Sequence, residues 1–257
     1  MWRDFHNTEY AIADETLYLK VSRPEPAFAP PRGAGVGRKS YERMREYCAA
    51  IGMPAQLRSV SKPALTFILD MYPESRVWTD RVWSDYLYLS DDIINLAGRK
   101  FSGQRNHINR FMREHPAWSF ERVTVDNKAN AMAFIGRFEK EYDISPTYVE
   151  ASRKALEVLD HLELYGQFGG ILYANGAIVG VALGETVSDT LYVHAEKADT
   201  AYHGSYPMLV NQFARMFATE GIMYINREED DGIEGLRTSK LSYHPTALLE
   251  KYMVELR

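Results

Sequence analysis

The sequence predicts a mixed α/β fold whose central sheet begins as an antiparallel meander and then receives a crossover strand. Three observations carry this. Asn175-Gly176 separates two strand-like runs, Ile171–Ala174 and Ala177–Thr186, and Asn-Gly in that setting is the strongest short-range hairpin signal in the chain. A Ser188-Asp189 turn leads to a third run, Thr190–Glu196. Two helical segments precede this meander, and a helix, a short strand and a final helical segment follow it. That order is not the repeated strand–helix unit of a dinucleotide-binding fold.

The elements follow in chain order. Residues 9–21 read as a hairpin or a pair of strands, with Asp14-Glu15 between two apolar pieces. Residues 22–37 are rich in Pro, Gly and Ala and read as a loop. Ser40 is the expected cap of a helix over Tyr41–Ile51. Leu57–Val60 reads as a strand, and Lys62–Met71 as a helix with Pro63 in its first turn. Strands are expected near Arg76–Trp78 and Tyr86–Leu89. Ser90 and the acidic pair Asp91-Asp92 suit the start of a long helical segment, about Asp91 to Glu114, broken near Gly98 or Gly103. Phe120–Val125 reads as a strand. Ala129–Tyr142 reads as a helix with Ala133, Phe134, Ile135 and Phe138 on its apolar face. Pro146 opens a helix to about Leu164. After the meander come a helix over Tyr206–Thr219, a strand at Met223–Asn226 and a terminal helix over Thr246–Glu255. The whole suits an acyltransferase-like α/β sandwich. The first half has a similar mixed pattern, so two lobes are expected without a direct sequence repeat.

Composition excludes several classes. With 257 residues, 46% hydrophobic and 25% charged, a largely disordered or fibrous chain is ruled out, and one large core or two domains fit. The 35 acidic residues outnumber the 30 basic ones, so the chain is no basic nucleic-acid coat, although a local basic face is compatible with this charge. The lone Cys48 excludes an internal disulfide and any cysteine-based metal cage. It suits a cytoplasmic location. No run of 18 apolar residues predicts a membrane-spanning helix, and residues 1–6 read as neither a signal peptide nor an anchor. The seven histidines lack His-x-x-x-His or similar spacing, so no metal site is expected.

Four segments carry candidate chemistry. Gly33-x-Gly35-x-Gly37 lacks the spacing of a phosphate loop and reads mainly as a connection. Arg99–Arg113 holds five Lys or Arg and no acid. On a helix, Arg105, Asn109 and Arg113 share one face, which reads either as a solvated surface or as a grip for phosphates. His194 and Glu196 share a face of the third meander strand under strict alternation. His203-Gly204-Ser205 stands before a helix N-terminus, where main-chain N–H groups could hold a carbonyl oxygen or a phosphate. These are either ordinary loop residues or the proton acceptor and oxyanion donors of an acyl transfer. Asn226-Arg227-Glu228 leaves the C-terminal end of a strand, where open α/β sheets bind ligands, with Arg237 and Lys240 beyond it. The choice is between a salt-bridge network and a polar active-site wall. Tyr243 and His244 follow, and Tyr243 could protonate a leaving group or simply pack.

Two long motifs then resemble a known family. Gln104-Arg105-Asn106-His107-Ile108-Asn109-Arg110-Phe111 and Asn226-Arg227-Glu228-Glu229-Asp230-x-Gly232-Ile233-Glu234-Gly235-Leu236-Arg237-x-x-Lys240-Leu241-Ser242-Tyr243-His244-Pro245 are similar to an uncharacterised bacterial family. That family is grouped with the C-terminal domain of phosphatidylglycerol lysyltransferase, and Asp85–Leu89 and Gly98-Arg99-Lys100 support the likeness. The resemblance implies a tandem GCN5-related acyl-CoA N-acyltransferase-like fold, with mixed central sheets flanked by helices. It implies a first lobe over 1–115, short at its N-terminus, and a second over 116–257 carrying the site. The segments Arg99–Arg113 and Asn226–Lys240 would border one cleft. Two departures stand out. Asp199–Tyr206 keeps one glycine where true acetyltransferases carry a Gly-rich pyrophosphate loop, and none of these 257 residues reads as the multi-pass membrane domain of the lipid synthases.

The expectation is therefore an acyl- or aminoacyl-transferase acting on an amine or hydroxyl. Glu196, Glu228 and Tyr243 are the candidate catalytic residues. Arg105, Asn109, His203, Gly204, Ser205, Asn226, Arg227, Arg237 and Lys240 are the candidate donor-binding residues. Acyl-CoA or aminoacyl-tRNA is the expected donor, the latter through its acceptor end, and a small molecule or lipid-like molecule the acceptor. The location expected is cytoplasmic, at most peripheral to the membrane. The alternative is a non-catalytic ligand-binding protein on the same fold.

Overall fold

The computed structural model describes residues 6–23, 25–141 and 146–257, side chains of 138–148 excepted. Phe138 and Tyr142, expected in the 129–142 helix, lie outside what is described of side chains and of the chain respectively. Two compact units emerge, Trp2–Asp85 with Leu249–Arg257, and Tyr86–Leu248. The division thus falls at 85/86, with a return of the C-terminal residues, and not at 115/116.

The smaller unit contains β1 (Glu9–Ala13), β2 (Thr16–Val21), β3 (Ala27–Phe28), β4 (Arg32–Gly33), α1 (Arg38–Ala50), β5 (Gln56–Ser61), α2 (Lys62–Met71) and β6 (Arg76–Thr79). Ser40 is not the cap of α1. The helix starts one turn earlier, and the Ser40 hydroxyl accepts a bond from the Gly37 N–H. Gly33 and Gly35 are structural: a Cβ on them would stand 2.1 Å from the Glu15 carbonyl oxygen and 1.9 Å from that of Asp14, so the loop lies tight against the β1–β2 turn, whereas Gly37 has open space around it.

The larger unit contains β7 (Asp85–Leu89), α3 (Ser90–Asn95), α4 (Ser102–Glu114), β8 (Ser119–Arg122), α5 (Lys128–Glu141), α6 (Pro146–Asp160), α7 (Leu162–Tyr165), β9 (Phe168–Ala174), β10 (Ala177–Val187), β11 (Thr190–Ala198), α8 (Ser205–Phe217), β12 (Tyr224–Asn226), α9 (Glu234–Leu241) and β13 (Ala247–Leu249). The strand order is β13-β7-β12-β11-β10-β9-β8. The break expected in the 91–114 helix falls at Leu96–Gly98, where both residues have positive φ. β9, β10 and β11 form the antiparallel meander, and β12 joins β11 in parallel after the α8 crossover. Leu172, Ala182, Leu191, Val193 and Ala198 face α8, α4 and α3. Ile171, Val181 and Leu183 face α5 and α6. Each fully buried Leu, Ile or Phe on these faces contributes about 1.5–3 kcal/mol.

One expectation fails outright. Thr246–Glu255 is not a helix. Its last part is β14 (Lys251–Glu255), which lies between β5 and β6 in the sheet of the smaller unit. The run Ala247-Leu248-Leu249-Glu250-Lys251 is rich in helix formers, but tertiary pairing overrides propensity. Val254 is buried opposite Leu57 and Val77.

Candidate functional site

The site is built where β11 and β12 part. Their parallel pairing covers only Thr190↔Tyr224, Leu191↔Ile225 and Tyr192↔Asn226. β11 continues to Ala198, whereas the chain after β12 follows β7: the Arg227 N–H bonds the Tyr86 carbonyl (3.0 Å), and the Tyr86 N–H bonds that of Glu228 (3.2 Å). A β-bulge sits at the same level. Leu183 pairs with Ala195 and Gly184 with Val193, leaving His194 as the extra residue. Such a bulge bends its strand and re-aims side chains.

The bulge overturns strict alternation at 194–196. Glu196 pairs with Ala182 and so takes the α8 face, while His194 meets Glu185 and Glu228 on the α5/α6 face. His194 and Glu196 therefore do not share a face.

On the α8 side, Arg227 is only 5% exposed. Its Nη2 donates to Glu196 Oε2 at 2.6 Å. The guanidinium lies 5.0 Å from the Tyr243 ring centre and 5.9 Å from that of Tyr88, which pack edge to face. Its Nε and Nη1 are buried with no hydrogen-bond acceptor among the described residues. Burial pushes the Tyr243 hydroxyl well up, against the pull of Arg227, so it stays protonated at neutral pH.

The loop after β12 is held by its own charges. The Lys240 ammonium donates to the carbonyls of Arg227 (2.6 Å), Glu228 (3.3 Å) and Glu229. The buried Asp230 carboxylate accepts from Tyr86 Oη (2.6 Å), the Gly232 N–H (2.9 Å) and both Nε and Nη2 of Arg237 (2.9 and 3.0 Å). The Arg237 guanidinium chiefly, with Tyr86 and the Gly232 N–H, holds Asp230 well below the usual carboxylate range. Asn226 Oδ1 accepts from the Glu228 N–H at 2.7 Å, fixing Glu228 at φ 55°. Arg237 and Lys240, expected among the donor-binding residues, thus shape the loop that presents Arg227 and Glu228.

The basic helix is likewise partly committed. Arg105 donates to the carbonyls of Leu96 and Gly98, the latter at 2.6 Å, and so closes the end of α3. Asn109 and Arg113 are exposed. Gln104 reaches Ser242 Oγ at 2.8 Å, joining α4 to the residues after α9. His203 Nε2 is 3.1 Å from His107 Nδ1. Ser205 Oγ donates to the Asp199 carbonyl (2.7 Å) and closes the turn before α8. Gly204 sits at φ 86°, and a Cβ there would stand 2.3 Å from the His107 carbonyl oxygen.

Sequence reasoning missed Glu185 and offered His194 only as one of several candidate proton acceptors, not as a link between two carboxylates. No local signal marks the bulge that brings them together. Tyr86 and Tyr88 read as a strand only. Among the described residues, no group of three His, Cys, Asp or Glu is placed to hold a metal ion, and no helix is long and apolar enough to cross a membrane.

Residues 1–255 match the family described as phosphatidylglycerol lysyltransferase, C-terminal. The chain belongs to this family. A conserved protein of unknown function from Bacteroides thetaiotaomicron VPI-5482 is 34% identical, with a TM-score of 0.91 over all of this chain and 88% of that one. The C-terminal domain (DUF2156) of a putative lysylphosphatidylglycerol synthetase from Agrobacterium fabrum is 14% identical over 97% of this chain and 83% of that one. Its TM-score of 0.69 shows the shared fold. An uncharacterized protein of Mycoplasmoides gallisepticum is 24% identical over 67% of this chain, and the match spans 56% of that relative's length. This member of the phosphatidylglycerol lysyltransferase C-terminal family has a mixed α/β fold with two mixed sheets flanked by helices, and shares it with the DUF2156 domain.

Proposed function

We propose that this protein is an acyl- or aminoacyl-transferase that moves an activated acyl group onto an amine or hydroxyl. One observation carries the reading: a buried guanidinium in the gap between β11 and β12 with two nitrogens lacking acceptors among the described residues. Buried donors without partners are costly, and a carbonyl oxygen gathering charge in an acyl transfer would satisfy them. In this reading Arg227 receives the donor carbonyl and Glu196 orients Arg227. Glu228 accepts the acceptor's proton, and Tyr243 protonates the leaving group. His203-Gly204-Ser205 and Asn109 are the proposed contacts for the rest of an acyl-CoA or aminoacyl-tRNA donor. Family membership favours an aminoacyl donor and a lipid-like or small-molecule acceptor, handled without a membrane-spanning helix among the described residues. We place the protein in the cytoplasm, at most at the membrane surface.

The test is calorimetric titration with acetyl-CoA, a long-chain acyl-CoA and a 3′-aminoacyl adenosine as the charged-tRNA mimic. One of them is expected to bind, and Arg227→Gln to weaken it at least about tenfold, the scale of one charged hydrogen bond. Binding by none overturns the reading.

A second reading, a non-catalytic binding protein, draws on the same gap, which is bridged by the Arg227–Glu196 pair and floored by Tyr88 and Tyr243. Donor binding with no acyl transfer to water, hydroxylamine or an amine would favour it.

A further inference from the structure

On the α5/α6 face of the sheet, the His194 ring lies between two carboxylates. Nδ1 is 2.7 Å from Glu228 Oε1, and Nε2 is 3.1 Å from Glu185 Oε1. The His194 side chain is 13% exposed, while the two carboxylates are about one-third open. We infer that His194 is the positioning residue of the proposed transfer: its imidazolium links Glu185 to Glu228 and holds the Glu228 carboxylate ready for the acceptor's proton. The inference rests on the transferase reading of this site and assigns it an acceptor side. The acceptor side is the α5/α6 face, opposite the face on which Arg227 lies.

The chemistry of the ring requires both carboxylates to be met by protons. An imidazolium donates from both nitrogens, whereas a neutral ring donates from one and turns a lone pair on the other. Loss of the proton therefore releases either Glu185 or Glu228. The titratable groups facing the ring are Glu185 from β10 and Glu228 beyond β12. Burial alone lowers the ring's affinity for the proton, but Glu228 and then Glu185 more than reverse this and leave it raised. The latch is thus closed below the ordinary imidazole range and opens as pH climbs through the raised value.

In the transfer, the acceptor nitrogen or oxygen forms a bond to the acyl carbon as its proton passes to Glu228. The bond from that carbon to the donor oxygen or sulfur breaks. The electron pair leaves on that atom, which Tyr243 protonates. His194 touches none of these atoms and acts through Glu228.

The test joins kinetics to a readout that does not need turnover. Transfer from acetyl-CoA or a 3′-aminoacyl adenosine to hydroxylamine is followed from pH 5.5 to 9 for wild type, His194→Ala and His194→Gln. His194→Ala is expected to lower kcat about 100-fold, the low end for a proton-transfer defect, with KM within about threefold. His194→Gln, which keeps one donor, restores part of kcat but lacks the alkaline limb of the wild-type profile. In parallel, nitrogen-15 NMR of His194 should show an imidazolium persisting above its ordinary range, and Glu228→Gln should abolish that persistence. Unchanged kcat and pH profile in His194→Ala overturn the inference. So does an imidazole that titrates alike in wild type and Glu228→Gln. If no donor turns over, the transferase reading fails and the positioning role with it, while the NMR arm still decides whether the imidazolium latch exists.

Discussion

Arg227 Nη2 and Glu196 Oε2 meet at 2.6 Å inside the gap where β11 and β12 separate, with the Tyr243 ring against the guanidinium. The pair joins two strands whose backbones no longer touch. It replaces a ladder with one charge-assisted bond and leaves two buried guanidinium nitrogens without an acceptor among the described residues.

Removing one partner of this pair strands the other in a buried setting. Arg227→Met is expected to cost about 3–5 kcal/mol, and the double variant Arg227→Met/Glu196→Leu to recover much of it. Urea denaturation of the two variants checks this. Equal losses in both would mean that the pair is not the source.

Lys240 offers a second stability test. Lys240→Met removes the donor shared by three carbonyls of the loop and should cost about 1–3 kcal/mol. Hydrogen exchange of the 227–233 amides should accelerate more than that of the meander.

Gly204 admits no side chain. Gly204→Ala forces a Cβ into a left-handed backbone and against the His107 carbonyl, so a loss of more than about 1 kcal/mol is expected, read as a lower melting temperature. Gly221→Ala shares the positive φ but has open space around it, and should cost less.

Lys197 is buried on the α5/α6 face, and burial pulls its amine down to about 8. The folded state then binds fewer protons than the unfolded one between that value and about 10.4, so stability rises with pH across this window. Relative to Lys197→Met, wild type should gain up to about 3 kcal/mol of stability between pH 8 and pH 10, because only wild type carries this titrating amine. Denaturation at pH 7, 8.5 and 10 measures it.

Tyr243→Phe separates chemistry from packing. The ring keeps its place against Arg227, so stability should change little, while transfer should fall about 100-fold if the hydroxyl protonates the leaving group. Retained activity would leave Tyr243 a packing residue.

Local signals made the larger unit legible. The Asn175-Gly176 turn and the apolar periodicity of 205–217 are short-range facts, and they placed the meander and its crossover. The C-terminal strand was illegible because Ala247–Lys251 favours a helix in isolation, and only pairing with β5 and β6 makes Val254 a strand residue. The unit boundary was missed for the same reason. In the site, Arg227, Glu196 and Glu228 stood out as charges leaving strand ends. Their partners did not, because one extra residue at His194 reverses which face each side chain takes, and alternation cannot foresee a bulge.

The position of β14 also sets an order of events. It lies inside the sheet begun by β1 to β6, yet follows the whole larger unit in the sequence. The unit that starts first therefore finishes last. While the ribosome is still translating the residues of the larger unit, β5 and β6 have an empty lane between them. Their pairing waits for a contact of very long sequence separation, which is the slow kind to form. A chain stopped short of Lys251 would carry a complete meander and an open-edged first sheet, making it a substrate for quality control and not a smaller working protein.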